Sequence, residues 1–283
     1  MGYLQSAQVG PSLADEHRYQ REEWNMDDLT LIRVSHSDGV ACVTMDAPPV
    51  NAQGQRFHDE IHLAFDRIAE RDDIRCAVLT GAGKVFSASA DIRDRATKPR
   101  GPGDGLAHLR RAREAFHAVF ECRKPVIAAI NGPALGAGLA LAASCDILFA
   151  SETASLGLPE IDVGLMGGGR HAMRLFGHST TRRMMFTGYR VPAAELYRLG
   201  IVEAVLPADQ LVPTAMAMAR DIASKSPVAM KLAKHGLNTI EEMSLRDGYR
   251  FEQEMTAQLG TTEDSKEAMR AFMEKRKPVF QGR

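Results

Sequence analysis

No stretch of this sequence approaches the ~20 consecutive apolar residues that a helix needs to cross a bilayer. The first 28 residues also lack the apolar centre of a secretory signal. Neither sign of charge is in excess: 35 Lys and Arg face 36 Asp and Glu, a net charge of -1. Such a balance leaves no basic footprint for nucleic acid or for an anionic membrane. Cysteine is scarce, and Cys42, Cys76, Cys122 and Cys145 lie far apart, mostly inside apolar stretches. They read as free thiols of a reducing compartment and not as a disulfide set. The expectation is a cytoplasmic protein that acts on a small molecule.

What is present is an alternation of short apolar runs and helical patterns, the signature of an α/β layered fold. Residues 1–28 form a polar N-terminal extension without apolar period. Leu29 to Val34 and Val40 to Met45 read as two strands around Asp38-Gly39. Phe57, Ile61, Ala64, Phe65 and Ile68 recur at helical spacing, and Cys76 to Gly81 is the next strand. Pro99, Gly101, Pro102, Gly103 and Gly105 mark a flexible loop or lid. An amphipathic helix over 106–121 follows, then strand 125–130, helix 136–145, strand 146–150 and a short strand 154–157. Beyond these, helices are expected near 170–177, 180–187, 192–199, 208–225, 227–240, 245–258 and 264–275, with a last strand at 202–206. This divides the chain into the extension, an α/β core over 29–206 and a helical region over 207–283.

The most informative stretch is Asn131 to Ala140, Asn-Gly-Pro-Ala-Leu-Gly-Ala-Gly-Leu-Ala, which joins the apolar run 125–130 to an Ala- and Leu-rich helix through small residues. A strand ending in such a turn places unpaired helical N–H groups at the carboxyl edge of a sheet, where open α/β folds bind ligands. The alternative is that the glycines only permit close helix–strand packing. Other local patterns lead nowhere. His58-Asp-Glu-Ile-His62 puts two histidines on one helical turn, yet Asp59 stands where a zinc peptidase needs Glu and no third ligand is evident, so it reads as a solvated face and no metal site is expected. Gly81-Ala-Gly-Lys84 is followed by Val85 and not by the Ser or Thr of a phosphate loop, and Gly136-Ala-Gly138 is followed by Leu141 where a dinucleotide fingerprint needs a third small residue.

Three segments together resemble the enoyl-CoA hydratase/isomerase (crotonase) superfamily: Gly83-Lys-Val-Phe-Ser-Ala-Ser-Ala-Asp91, Lys124 to Gly138, and Leu158-Pro-Glu-Ile-Asp-Val-Gly164. The resemblance implies a spiral of β-β-α units with a C-terminal helical trimerisation region, self-association as a homotrimer or hexamer, and an acyl-CoA thioester substrate. It implies no tightly bound cofactor, coenzyme A entering as part of the substrate, while the balanced charge argues against a nucleic-acid or membrane partner. The shared chemistry is stabilisation of a thioester enolate by two backbone N–H groups, which by motif position are those of Ala88 and Ala137. Hydratases of the superfamily carry two glutamates, and here those positions are Ala140 and Glu160. A single carboxylate resembles the isomerases, which move one proton between two carbons, more than the hydratases, whose reaction also needs a water oriented. The alternative is 2-enoyl-CoA hydratase or 3-hydroxyacyl-CoA dehydratase activity with His171 replacing the missing acid/base; from a different class, a binding or scaffold protein that keeps the fold without turnover. Gly168 stands where dienoyl-CoA isomerases and a related dehalogenase carry Asp, which disfavours those activities. Substrate-binding positions carried over are Asn51 and Ala52 beside the adenine, Ala90, Asp91, Ile92 and Arg93 in the loop after the first donor, Gly136 and Ala140 in the site, and Phe272 with Lys275 near the adenine and 3′-phosphate.

Overall fold

A computed structural model describes residues 26, 28–88 and 101–283. The fold opens on a hairpin in which β1 (Ile32–Ser37) and β2 (Val40–Met45) pair antiparallel. Asp38 and Gly39 between them both have positive φ, 52° and 76°, as a two-residue turn matched to strand twist requires. In chain order follow α1 (Gln55–Glu70), β3 (Cys76–Gly81), β4 (Ser87–Ala88), α2 (Asp104–Phe120), β5 (Val126–Ile130), β6 (Pro133–Leu135) and α3 (Ala137–Ala143). Then come β7 (Ile147–Ser151), β8 (Ser155–Gly157), a 3₁₀ turn (Pro159–Val163), α4 (Gly169–Leu175), α5 (His178–Thr187), β9 (Arg190–Pro192), α6 (Ala193–Arg198) and β10 (Val205–Leu206). The chain ends in α7 (Ala208–Ala223), α8 (Pro227–Ile240), α9 (Leu245–Gly260) and α10 (Glu263–Met273).

Two sheets carry this order. The larger has strand order β1-β2-β3-β5-β7-β10, parallel from β2 onward. Every residue of β3 and β5 is buried, which explains why both read as unbroken apolar runs: parallel strands covered on both faces have no polar side. One face, with Val78, Ile127, Ala129 and Phe149, packs on Leu211, Ala215 and Ala219 of α7. The other, with Val43, Leu79, Ala128 and Leu148, packs on Phe57, Ile61, Phe65 and Ile68 of α1 within the main core. The smaller sheet, β4-β6-β8-β9, is parallel except for β9.

Expectations that fall on residues 1–25, 27 and 89–100, among them Ala90, Asp91, Ile92, Arg93, the extension and the first part of the lid candidate, lie outside the described residues. No helix among the described residues is long and apolar enough to cross a membrane. All four cysteines are free, and burial is the chief cause that pushes the Cys76 thiol up to about 12, so it is unreactive near neutral pH.

The strand expected to begin at Leu29 begins instead at Ile32, because the chain before it is bound by a carboxylate. Glu60, buried on α1, accepts hydrogen bonds from the N–H groups of Thr30, Leu31 and Ile32, at 2.8, 2.7 and 3.1 Å, and from Arg56 Nε at 2.7 Å. Burial works to raise its pKa, but the bonds from Leu31, Arg56 and Thr30 together outweigh it and hold the carboxyl below its ordinary 4.5. A depressed carboxylate stabilises the fold above its unfolded pKa and loses that contribution as pH falls through the folded one. Glu60→Gln is therefore expected to cost about 1–3 kcal/mol at neutral pH, with the difference from the unsubstituted protein shrinking below pH 4.5, as measured by urea unfolding across pH.

Candidate active site

The smaller sheet places the chemistry. Its parallel strands end in register: Ala88 pairs with Leu135, and Leu135 with Gly157. From that one edge depart the segment beyond Ala88, the turn into α3 and the 3₁₀ turn that carries Glu160. These are the three segments singled out in the sequence, and strands of two or three residues bring them together.

Two glycines make the edge compact. Gly136, at φ 56° and ψ −113°, adopts a backbone closed to L side chains. This turns its N–H onto the Gly157 carbonyl at 2.8 Å and lets α3 begin at Ala137. A Cβ on Gly138 would land on the Ser87 carbonyl, so only glycine lets the first turn of α3 approach β4 so closely. Close packing and an exposed N-terminus were alternatives in the sequence; the structure uses both. Among the described residues no backbone carbonyl accepts the Ala137 N–H, which belongs to the first turn of the helix and has no intrahelical partner. The partial positive charge of the helix end adds to it.

One turn further on, Ala140 is 1% exposed. No carboxylate stands at that position on α3. Glu160 sits three residues beyond Gly157, with Oε2 sealed from solvent. Asp162, on the same 3₁₀ turn, directs its carboxylate over Gly188 at the end of α5. Gly168 lies against the Leu158 side chain and the Gly136 carbonyl, so a side chain there would press on the site.

His171 on α4 is half-buried. Its ring packs edge-on to Phe116 of α2 at 5.3 Å, and it lines a cavity of about 310 Å³ with His117, Ser144, Arg170 and Arg174. Burial first, then Arg174, His117 and Arg170, lower its pKa to about 4. A ring that is neutral near pH 7 is suited to accept a proton and not to supply one.

Several expected roles change. The Ala88 N–H donates to the Val50 carbonyl at 3.0 Å, so it is committed within the fold and is not the first oxyanion donor. Asn51 is a brace within the fold. Its N–H reaches Ala47, its carbonyl takes the Ser87 hydroxyl, and its side chain bonds Ala47 N–H and the carbonyls of Ala82, Val85 and Phe86. Ala52 beside it is half-buried. Phe272 is 82% exposed at the end of α10 and Lys275 is exposed with φ 53°. Among the described residues no hydrogen bond or ring contact joins either to the site edge.

His58 and His62, expected together on a solvated face, part company. His62 is exposed and pairs with Asp66, whereas His58 is 2% exposed. The described residues hold no cluster of metal-binding side chains. The sequence did carry the signal, since His58 falls on the helical stripe of Ile61, Phe65 and Ile68.

The family model for enoyl-CoA hydratase/isomerase matches residues 35–283. A probable mitochondrial enoyl-CoA hydratase of Dictyostelium discoideum is 36% identical over 85% of this chain and 87% of its own length. A (7aS)-7a-methyl-1,5-dioxo-2,3,5,6,7,7a-hexahydro-1H-indene-carboxyl-CoA hydrolase of Mycobacterium tuberculosis is also 36% identical, over 87% of this chain and its whole length. The crystal structure of an enoyl-CoA hydratase from Bacillus anthracis superimposes with a TM-score of 0.85 at 32% identity, covering 90% of this chain and all of the other.

Ala137 is the first residue of its helix, where proline is tolerated because the N–H it lacks is unpaired anyway. Ala137→Pro is therefore expected to fold, by circular dichroism, while losing on the order of 10²–10³ in kcat through the missing donor. His171 is expected to stay neutral in an NMR pH titration until pH approaches about 4, leaving no limb of an activity profile near pH 6.5 to its ring.

Proposed function

Because the chain belongs to the enoyl-CoA hydratase/isomerase family and is an enzyme on acyl-CoA thioesters, we propose that it isomerises enoyl-CoA through an enolate with Glu160 as the only carboxylate base. The observation that carries this reading is Ala140, buried one turn into α3 where a second glutamate would stand. The thioester oxygen takes the Ala137 N–H as it gains negative charge. With Ala88 committed to Val50, the other donor is assigned to the segment that follows, with Ala90 as its candidate. Glu160 removes a proton from C2 of a 3-enoyl-CoA, the electron pair delocalises into the thioester and across the double bond, and the same proton returns at C4 to give the 2-enoyl-CoA. One base suffices, since no water is consumed. Asn51, Ala52, residues 91–93, Phe272 and Lys275 are kept as proposed contacts for the nucleotide end of CoA.

The second reading, hydration of 2-enoyl-CoA, is favoured by the names of the relatives. It requires a second group beside Glu160 to orient water while the C2 proton is exchanged; Asp162 faces α5, and a neutral His171 serves as a base and not as an acid. Glu160→Gln is expected to lower isomerisation by about 10²–10⁴. Ala140→Glu is expected to raise the ratio of hydration to isomerisation, followed as the change in enoyl-thioester absorbance with 2-enoyl- and 3-enoyl-CoA. Rapid hydration by the unsubstituted protein with 3-enoyl-CoA left untouched would overturn the isomerase assignment.

A further inference from the structure

A cavity of about 410 Å³ lies at the amino ends of two central strands of the large sheet. Four cations line it: Arg75 just before β3, Arg123 and Lys124 just before β5, and Lys231 on the second turn of α8. The parallel register brings the first of these together, since Ala77 pairs with Val126 and Arg75 and Lys124 each stand two residues earlier. The carboxyl end of β5, which leads through Asn131 to α3, is on the other side of the sheet's width. The walls are fixed by buried groups. Lys234, three residues after Lys231, donates to the Lys124 carbonyl at 3.1 Å and pairs with Asp146 at 2.9 Å, which ties α8 to the entry of β5. Asp264 accepts from Ser226 Oγ at 2.7 Å and from the N–H groups of Gln281 and Gly282 at 2.8 and 3.2 Å, so residues 281 and 282 close the cavity against the start of α8.

Two exposed carboxylates, Glu70 and Asp72, share the lining, so four positive charges stand against two negative ones. The ion pairs nearby, Arg71 with Asp73 and Lys234 with Asp146, use other residues, and among the described residues none of these six groups forms one. Arg75 gives one N–H to the Ala223 carbonyl at 3.3 Å. Burial holds the Lys124 pKa below its ordinary 10.5; Asp72 and Cys122 pull it up, while Lys231 and Arg123 push it down. These like charges are therefore close enough to repel. In the first turn of α8, no backbone carbonyl among the described residues accepts the Val228 N–H, which also lines the cavity. The partial positive charge of that helix end adds to the four cations.

We propose that this cavity binds a phosphate group, either as the free ion or as a small phosphomonoester. Two positive charges in excess match one dianion. Arg75 and Arg123 offer paired donors to adjacent phosphate oxygens, and the two lysines act as point charges. A carboxylate would meet only half of the excess, and an extended polyanion would run against Glu70 and Asp72. The site is separate from the acyl-CoA reading, and none of its residues takes part in that reaction.

The test uses the full chain at pH 8, where phosphate is dianionic, in chloride buffer of constant ionic strength. Inorganic phosphate and glycerol 3-phosphate are titrated separately by calorimetry and by thermal unfolding. At least one is expected to bind with a Kd below about 1 mM and to raise the unfolding temperature. Arg123→Gln and Lys231→Gln, both at exposed positions, are expected to weaken binding singly and by at least about tenfold together. Asp72→Asn is expected to strengthen it by about threefold. Turnover of acyl-CoA is expected to stay unchanged in all of them. Binding of inorganic phosphate alone supports the site as one for the free ion, and binding of the ester supports a phosphorylated metabolite. If neither binds, or if binding is the same in the Arg123→Gln, Lys231→Gln double variant, the inference falls and the acyl-CoA reading is untouched.

Discussion

The site depends on a register. Ala88, Leu135 and Gly157 lie side by side across the small sheet, so three segments far apart in sequence leave one edge at one height. The Gly136 N–H bonded to the Gly157 carbonyl fixes the start of α3 relative to the 3₁₀ turn of Glu160. A slip of one residue in this pairing would turn each strand over and carry the donor of α3 away from the carboxylate. The large sheet supplies the mass that keeps so small a sheet in place, since strands of two or three residues have little stability of their own.

Much of this was legible in the sequence, for physical reasons that differ by element. β2 and β3 were read with their observed boundaries because apolar strands between turn residues leave a period that needs no tertiary context. α8, introduced by Ser226-Pro227, was read over its full range because its cap, the Ser226 side chain accepting from Ala229 N–H, is local. β4, β6 and β9 were not legible. Each is too short to show a period, and each exists only by pairing with a strand distant in the chain. Ala88 and Ala137 were both placed by motif position; that the Ala88 N–H is taken by the Val50 carbonyl, 38 residues upstream in sequence and adjacent in space, is something no local pattern shows.

His58 and His171 are both held neutral near pH 7, each chiefly by burial, and Asp162 faces α5. A charge on Glu160, whose Oε2 is sealed from solvent, is less screened than one in water. The helix end at Ala137 contributes a partial positive charge without any titratable group.

A buried polar chain runs from Asn51 through Ser87 and Gln53 to His58. Its direction is set by the Asn51 carbonyl, an atom with no choice but to accept, and Asn51 is itself held by side-chain bonds to Ala47, Ala82, Val85 and Phe86. The orientation of every proton from Ser87 to His58 is therefore inherited from the backbone framework that also shapes β4. Replacing Gln53 or Ser87 by an apolar residue would release the His58 tautomer without touching its ring, so acceptor and donor character at Nδ1 are decided two hydrogen bonds away.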